Sequence, residues 1–234
     1  DGIEDTSARV RGFAKYGASI SYEPKEKYGY KLDRASTNEL VIGSSENILE
    51  VYYIPDEQQT KELSYTVEFY KDNEIVTDDT LVVKRNIQVL EPDTLVVDKT
   101  AIEVTDKYRG YTYQGTNPEN IPDSVPNGSI IKVYYTVRND LSYVVNYLEK
   151  GNNNILSSQT TKDNQTYGSI INSLDEVIEI EGFAYDSVNI EQLVVSDDDS
   201  ENIINIYYRR MNYPYEIRYF YNNVMDPKAT ISDS

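Results

Sequence analysis

The chain has 234 residues, enough for one to three compact domains, and its 40 acidic and 22 basic residues give a formal net charge of −18. It has no Cys and no His, which excludes disulfide frameworks, thiolate metal sites and any Ser-His-Asp arrangement within the chain. The acidity argues against nucleic acid or an anionic membrane surface as a partner. Without a run of 18 apolar residues, the sequence predicts no membrane insertion.

The first predicted elements lie between residues 16 and 53. Tyr16-Gly17 precedes Ile20 in a Tyr-Gly-x-x-Ile pattern, and Gly29-Tyr30 places a glycine before an aromatic residue, as in a turn with positive φ that leads into a strand. The stretch "VIGSSENILEVYY" then reads as a hairpin whose second arm ends in Tyr52-Tyr53. The chain holds 23 Tyr against 4 Phe, which suits a thin β-domain because a tyrosine ring covers apolar surface while its hydroxyl stays hydrated.

The same signals return farther along the chain. The pair Tyr134-Tyr135 follows Tyr52-Tyr53 by 82 residues, and Tyr207-Tyr208 follows after another 73. Each pair precedes a polar link and a strand in which apolar residues alternate with polar ones, a period of two that predicts one buried face. This recurrence predicts tandem modules of about 72 to 82 residues. The landmarks that we expect to hold the fold are Tyr16, Gly17, Gly29, Tyr30, Tyr52, Gly110, Tyr111, Tyr134, Tyr167, Gly168, Gly182, Phe183 and Tyr207.

These landmarks divide the chain into modules. We expect module 1 at 1–62, lacking its first strand, module 2 at 63–140, module 3 at 141–212, and the first strand region of a further module at 213–234. Module 2 has an aberrant middle, since it lacks the Tyr-Gly landmark. The abrupt start at Asp1, with no signal peptide, reads as a window cut from a longer protein. A missing first strand exposes a sheet edge, so residues 213–231 are predicted to pair with such an edge in the same chain or in another.

Helical signal is weak. The best candidate is "GSIINSLDEVIEI", where Ile171, Leu174, Val177 and Ile178 follow helical spacing and Ser173 with Glu176 fits a capping box. We expect one short helix or irregular crossover in each module, packed on a small twisted sheet. The predicted fold class is therefore β-rich α+β.

In module 3 the pattern Tyr143-x-Val145-x-Tyr147, then Tyr167-Gly168-x-x-Ile171, then Gly182-Phe183, then Ile206-Tyr207-Tyr208 resembles the MucBP (mucin-binding protein) repeat family, and it is similar to the internalin-type B repeat. Module 1 matches from Tyr16 onward, and module 2 matches at both ends. The resemblance implies small β-grasp-like modules in an elongated array on the surface of Gram-positive bacteria, with a role in adhesion, including to mucin glycans. The matching positions are structural, so the resemblance transfers no binding residues.

Four groups of residues are candidate sites. Alternation in the strands sends one ring of each Tyr-Tyr pair outward, and Tyr53, Tyr135 and Tyr208 are the candidates for contact with a glycan or a partner protein. The acidic run Asp197-Asp198-Asp199 either binds a cation such as Ca²⁺ or forms a solvated turn. Asp78-Asp79 and Asp175-Glu176 are conceivable acid–base pairs, and Lys84, Lys99 and Lys132 are conceivable members of an isopeptide bond.

The sequence favours a non-enzymatic surface protein with no catalytic residues, no cofactor and no resident metal ion. The first hypothesis is a repeat region of an extracellular, wall-anchored adhesin that binds host mucin glycans or surface proteins weakly and multivalently. The alternative is a structural stalk with no ligand of its own.

Overall fold

The fold was analysed in a computed structural model, which describes residues 3–102, 104–225 and 231–233. Within these residues the regular structure consists of β-strands and short 3-10 turns, without an α-helix. The part of the chain that is described also contains no helix long and apolar enough to cross a membrane. The β-rich character predicted from the sequence is therefore confirmed, whereas the predicted α component is not seen.

The strands follow one another closely along the chain. The first set comprises β1 (Ser19–Ser21), β2 (Tyr30–Ala35), β3 (Glu39–Val41) and β4 (Val51–Pro55). The next comprises β5 (Thr60–Lys71), β6 (Glu74–Ile75), β7 (Leu81–Gln88), β8 (Thr94–Val96), β9 (Tyr111–Asn117), β10 (Ser124–Pro126) and β11 (Ser129–Val137). Then follow β12 (Leu141–Glu149), β13 (Ile155–Gln165), β14 (Ile170–Asn172), β15 (Phe183–Val188), β16 (Gln192–Val194) and β17 (Ile203–Arg210). The last are β18 (Tyr215–Ile217), β19 (Phe220–Tyr221), β20 (Val224–Met225) and β21 (Ile231–Asp233). The 3-10 turns are Thr6–Ala8, Thr77–Asp79, Lys99–Ala101, Ser173–Glu176 and Asp199–Glu201.

The strands of residues 141–210 form a four-stranded sheet in the order β13-β12-β17-β15. Its two central strands, β12 and β17, are parallel, whereas β13 and β15 run antiparallel to their neighbours. Along β12 every second residue is buried, as the period of two predicts. A separate two-stranded sheet, β14 with β16, lies in the segments that connect these strands.

The same strand order occurs before residue 140. The order β6-β5-β11-β9, with β7 also paired to β5, forms a five-stranded sheet, and β8 pairs with β10 in a small separate sheet. The path β7-β5-β11-β9 thus repeats the path β13-β12-β17-β15. The strand order recurs here although residues 81–125 lack the Tyr-Gly landmark.

Residues 3–55 contain the later part of the same pattern. β2 pairs with β4 as β15 pairs with β17, and β1 pairs with β3 as β14 pairs with β16. The registers correspond, since Ile20 faces Leu40 where Ile171 faces Leu193. Residues 3–15 hold a 3-10 turn and no strand. They precede the Tyr16-Gly17 landmark as β13 precedes Tyr167-Gly168.

The segment that follows residue 212 pairs with itself. β18 pairs with β21, with Tyr215 opposite Asp233, and β19 pairs with β20. These local pairings give no support to the predicted strand exchange through residues 213–231. Residues 226–230 of this predicted exchange segment lie outside the described part of the chain.

The predicted helix at 168–180 is not formed. Its first residues form β14, and a single 3-10 turn follows at Ser173–Glu176. Asn172, and not Ser173, caps this turn by accepting a hydrogen bond from the Leu174 amide at 3.4 Å. Pairing of Ile170–Asn172 with β16 fixes the backbone as extended at the point where a helix would have to begin.

The chain comprises two compact units, each with its own buried side chains. The first unit holds Asp1–Glu68, Thr77–Ile102 and Thr116–Lys132, and the second holds Phe69–Val76, Glu103–Gly115 and Val133–Ser234. Buried in the first are Leu63, Tyr65, Val67, Val89, Leu95, Val97, Ile102, Ile121, Val125 and Ile131. Buried in the second are Phe69, Val133, Tyr135, Leu141, Tyr143, Val145, Tyr147, Leu193, Val195, Ile204, Ile206 and Tyr208.

Candidate functional site

The Tyr-Tyr pairs lie on strands β4, β11 and β17, and the second ring of the pair faces inward on β11 and β17. Tyr135 and Tyr208 are each only 1% exposed, and Tyr53 is half-buried. The expectation that these rings face outward is therefore wrong for Tyr135 and Tyr208. A ring buried to this degree has no face free to stack on a sugar.

The second tyrosine of each pair forms hydrogen bonds to the backbone through its hydroxyl. The hydroxyl of Tyr53 accepts a hydrogen bond from the Lys25 amide at 2.7 Å, and the hydroxyl of Tyr135 donates to the Val104 carbonyl. Tyr208 makes both kinds of bond with Ile178, accepting from its amide at 3.1 Å and donating to its carbonyl at 2.9 Å. Each partner lies in the crossover, the segment before the glycine-aromatic landmark. Burial raises the pKa of Tyr135 to about 12, so this hydroxyl keeps its proton at neutral pH.

The first ring of each pair lies on the other face and is half-buried. Arg34 stacks over Tyr52 at 4.4 Å from the ring centroid, and Lys150 lies 5.1 Å from that of Tyr207. Tyr134 packs against Tyr70, with 5.2 Å between ring centroids. The three outer rings thus occupy equivalent places, and each is partly covered by a cationic or aromatic neighbour.

The three landmark glycines adopt one backbone conformation. Gly29, Gly110 and Gly182 have φ of +82°, +75° and +82°, which other residues adopt only with strain. Their carbonyls accept hydrogen bonds from the residue that follows the Tyr-Tyr strand: Asp56 at 2.8 Å, Arg138 at 3.0 Å and Met211 at 2.9 Å. The predicted turn with positive φ is therefore present at all three positions.

At Gly110 the absence of a side chain lets a ring from the next repeat approach. A Cβ built on Gly110 would lie 2.2 Å from the Tyr167 ring, and Gly110 itself is buried. The Tyr167 amide donates to the Arg138 carbonyl at 2.9 Å, and the Tyr111 ring meets Tyr167 edge-on, with centroids 6.4 Å apart. We call this arrangement of Arg109, Gly110, Arg138 and Tyr167 the Gly110 joint. It connects the Gly-aromatic landmark of one predicted module to the Tyr-Gly landmark of the next.

A corresponding contact occurs at Gly29. A Cβ on this residue would lie 2.6 Å from Leu90 and 3.2 Å from Val89, which directly follow β7 as Tyr167 follows β13. The Val89 amide donates to the Gln59 carbonyl at 3.0 Å, as the Tyr167 amide does to that of Arg138. We call this the Gly29 joint. It uses aliphatic side chains in place of a ring, and its backbone hydrogen bonds involve Asp56 and Gln59 where the Gly110 joint uses Arg138 alone.

The acidic run Asp197-Asp198-Asp199 contacts Arg109 of the Gly110 joint. Arg109 reaches Asp197 at 2.5 Å through Nε, and its Nη2 lies 3.1 Å from a Glu201 oxygen and 2.9 Å from the Ser196 hydroxyl. The guanidinium lowers the pKa of Asp197, and Asp198 accepts from the Ser200 hydroxyl and amide as the cap of the 3-10 turn. Throughout the described residues no group of three or more acidic side chains is arranged to hold a metal ion.

The other candidate groups have structural partners. Glu176 accepts a hydrogen bond from the buried Tyr143 hydroxyl at 2.7 Å and pairs with Lys162 at 3.3 Å. Asp175 accepts from the Asn172 side chain at 3.1 Å. Lys84 pairs with Glu62 and Lys99 with Asp123, both as exposed ion pairs. These contacts account for the acids and lysines as parts of turns and strand edges.

Two functional positions were missed by sequence reasoning. Arg109 precedes its glycine as a single exposed charge, and nothing local indicates a partner 88 residues away. Asn202 is 1% exposed and ties the Ser196 amide and carbonyl to the Ser142 carbonyl. The sequence did indicate this role of Asn202, because Glu-Asn-Ile occurs both at 46–48 and at 201–203. Asn47 forms the same kind of turn, since its side chain accepts a hydrogen bond from the Gly43 amide.

No protein-family model matches the chain, and no curated protein sequence matches it. Among solved structures, the crystal structure of Mub-RV superposes with a TM-score of 0.22 and 12% identity, over 64% of this chain and all of that one. Domains 3–4 of the Streptococcal High Identity Repeats in Tandem (SHIRT) from a cell surface protein give a TM-score of 0.29 and 8% identity, over 64% of this chain and 98% of theirs. These scores lie below those of chains that share a fold.

The inward tyrosine of β17 provides the first prediction. Tyr208→Phe leaves the Ile178 amide and carbonyl without their partner, and we expect a loss of about 1–3 kcal/mol in the free energy of unfolding. Tyr207→Phe, on the outer face of the same strand, should change it by less than about 0.5 kcal/mol. Urea unfolding of the full chain measures both changes in unfolding free energy. Equal losses in the two variants would show that the Tyr208 hydroxyl does not stabilise the crossover.

The Gly110 joint provides the second prediction. Gly110→Ala must adopt a left-handed conformation, at about 1–2 kcal/mol, and must also displace the Tyr167 ring, at about 1–3 kcal/mol more. Gly168→Ala is the control, because φ is +76° there and no atom lies within 4 Å of the added carbon. Thermal unfolding should show the larger loss for Gly110→Ala. The joint is not close-packed if the two variants are equally stable.

The ion pair of Arg109 provides the third prediction. Because the pKa of Asp197 is lower in the folded state, its contribution is present above about pH 4, its unfolded value, and is lost as the pH falls below that. Arg109→Gln should therefore lower the melting temperature at pH 7, and the difference from the unmodified chain should shrink toward pH 2 and in high salt. Arg209→Gln, at another exposed arginine of the same unit, is the control. A difference independent of pH would rule out an electrostatic cause.

Proposed function

We propose that this chain is the repeat region of a bacterial cell-surface protein and serves as a spacer arm made of tandem modules. The observation that carries the proposal is the recurrence of one joint, at Gly29 and at Gly110. An enzyme gains nothing from repeating a contact between successive sheets. A spacer gains from it directly, because each joint restricts the rotation of one module on the next.

The chemistry of the joints supports this role. A glycine without a side chain lets an apolar group approach the backbone closely, and the hydrogen bond from Val89 or Tyr167 fixes the approach. At the Gly110 joint, Arg109 adds charged contacts to the turn that contains Asp197. Flexible linkers between domains are rich in Gly and Ser. In contrast, the link between Tyr135 and Leu141 has five residues, and its arginine belongs to the joint.

We infer that each module has a β-grasp-like sheet. The order of second, first, last and third strand recurs in β13-β12-β17-β15 and in β7-β5-β11-β9, and supports this inference. In the sheet of residues 141–210 the first and last strands are also parallel. The usual helix is replaced by a crossover with one 3-10 turn. The module boundaries proposed are those of the sequence: 1–62, 63–140, 141–212 and 213–234.

The net charge of −18 supports an exposed extracellular position, since mutual repulsion keeps an array soluble and separated from neighbours. We propose a wall-anchored protein of a Gram-positive bacterium, on the resemblance of the landmarks at Tyr167-Gly168 and Gly182-Phe183 to MucBP and internalin-type B repeats.

Adhesion to mucin-type glycans is the second candidate. The observation that favours it is the recurrence of one half-exposed ring in each module, at Tyr52, Tyr134 and Tyr207. Aromatic faces stack on sugar rings, and weak sites repeated along an arm combine through effective concentration. These outer rings replace Tyr135 and Tyr208 as the proposed contacts, and Tyr53 stays a candidate because it is half-buried.

Small-angle X-ray scattering of the full chain tests the spacer role. A single compact globule of 234 residues has a radius of gyration of about 17 Å, and an extended array of modules should clearly exceed this value. The Arg109→Gln and Arg209→Gln variants serve as a matched pair, since only the first should broaden the distribution of interatomic distances. A value near 17 Å for the unmodified chain would contradict the proposal.

Binding of the full chain to immobilised mucin separates the two candidates. The adhesin role requires binding that the triple substitution of Tyr52, Tyr134 and Tyr207 to Ala reduces at least about tenfold, the equivalent of 1.4 kcal/mol. The spacer role requires no saturable binding. Binding that the triple variant retains would place any glycan site elsewhere.

A further inference from the structure

We propose that Tyr70 and Tyr134 form a site of oxidative cross-linking, at which a one-electron oxidant joins the two rings into dityrosine and links strands β5 and β11 covalently. The oxidant is of the kind that a peroxidase produces from hydrogen peroxide. The proposal goes beyond the spacer function, and its chemistry does not depend on that function.

The composition of the chain directs one-electron oxidation to tyrosine. Cysteine and tryptophan side chains give up a single electron readily, and the chain contains neither, whereas it contains 23 tyrosines. A radical formed on this protein therefore settles on a phenol ring, because no thiol or indole of the chain can quench it. The same lack of cysteine means that no disulfide can link the strands of a sheet.

The rings of Tyr70 and Tyr134 lie in an arrangement that favours coupling. They belong to β5 and β11, which are neighbours in the five-stranded sheet. Their ring centroids are 5.2 Å apart and their planes are inclined by only 33°, so the two rings lie against each other. Both are half-buried, so each keeps part of its ring at the surface. A small movement of the two side chains brings their edges into contact.

Other neighbouring tyrosines meet these conditions less well. Tyr108 and Tyr135 have ring centroids 4.9 Å apart, but their planes stand at 85° and Tyr135 is only 1% exposed. Tyr111 and Tyr167 are both half-buried, with 6.4 Å between centroids and 64° between planes. Proximity, orientation and exposure coincide at the ring pair on β5 and β11.

The same place in residues 141–210 holds one tyrosine where residues 63–140 hold two. The tripeptide Leu-Ser-Tyr occurs at 63–65 and at 141–143, and its alignment places Leu148 where Tyr70 stands. Leu148 faces Tyr207 across the parallel pair of β12 and β17. The chain therefore contains an equivalent position that lacks the second ring, and this position serves as an internal control.

The cross-link forms in an oxidation that removes two electrons. Each phenol first loses one electron and one proton and becomes a phenoxyl radical. The two radicals then form a carbon–carbon bond between ring carbons next to those that carry oxygen. The hydrogen on each bonded carbon leaves as a proton and a proton returns to each oxygen, which restores both hydroxyls. One molecule of hydrogen peroxide accepts the two electrons and two protons and becomes two molecules of water.

The cross-link closes a loop of chain. The 63 residues between Tyr70 and Tyr134 can no longer be drawn out once the two rings are joined. Closing a loop of this length restricts the unfolded chain, as a disulfide does. In a spacer arm the cross-link thus limits how far proposed module 2 extends under load, and this benefit rests on the proposed function.

Peroxidase treatment of the full chain tests the site. Dilute protein is oxidised with a peroxidase and hydrogen peroxide, and the monomer is isolated and digested with trypsin. We expect peptides 62–71 and 133–138 to be joined. Fragment masses should place the bond at Tyr70 and Tyr134, and not at Tyr65 or Tyr135, which are each 1% exposed.

Three phenylalanine variants and one added tyrosine identify the rings involved. Tyr70→Phe and Tyr134→Phe keep the packing of the rings and remove one phenol, so each should lower the dityrosine fluorescence of the oxidised monomer several-fold. Tyr207→Phe is the matched control and should leave this fluorescence unchanged. Leu148→Tyr should add a second cross-link, to Tyr207. A folded Leu148→Tyr chain without the added cross-link would show that ring adjacency does not direct the coupling.

The stability of the oxidised monomer gives a second readout. It should unfold at a higher urea concentration than the untreated chain, whereas Tyr134→Phe treated in the same way should show no such increase. An oxidised monomer without dityrosine overturns the proposal, and so does a cross-link between Tyr111 and Tyr167 in place of the expected one. Scattering from the untreated chain tests the spacer function separately, so either proposal can fail without the other.

Discussion

The sheet of residues 141–210 depends on the parallel pairing of its first and last strands. β12 and β17 lie side by side and run in the same direction, which requires the intervening chain to cross from one end of the sheet to the other. In many folds an α-helix makes this crossing and covers the sheet. Here the crossover has one 3-10 turn, and its residues Ile171, Val177 and Ile180 pack on the buried face. The hydroxyl of Tyr208 holds this segment through Ile178, and so replaces the hydrogen bonds that a helix would make within itself.

This arrangement explains the unusual use of tyrosine. Phenylalanine would fill the same core volume, but its ring has no group that can satisfy a crossover amide or carbonyl. Tyr135 and Tyr208 serve both needs, with the ring in the core and the hydroxyl at the crossover. The half-buried Tyr53 also bonds to its crossover through its hydroxyl. The second tyrosine of each pair is thus explained by a sheet covered by irregular backbone. It is not by itself a sign of glycan binding.

The joints follow from the same geometry. The landmark glycine lies where the crossover enters the third strand, at the end of the sheet from which the next repeat departs. Its positive φ turns the chain, and its missing side chain admits Tyr167 or Leu90. One residue type therefore meets two constraints, a local backbone conformation and a close contact with the next repeat. Arg109 adds a charged contact at one joint only, so successive joints share the positive φ of their glycine and differ in their side chains.

The sequence by itself determined the repeat, its landmarks, the strands and the glycines with positive φ, because these depend on alternation and on local backbone preference. It did not determine which ring of Tyr-Tyr faces inward, since alternation separates the two faces without saying which one meets the crossover. It predicted a helix at 168–180 that pairing of β14 with β16 prevents. Only the tertiary structure joined Arg109 to Asp197, and Gly110 to Tyr167, because residues so distant in the chain leave no periodic signal. The sequence showed the acidic residues of the turn at Asp197 but not the cation that pairs with them. That cation is Arg109, which lies 88 residues earlier in the chain.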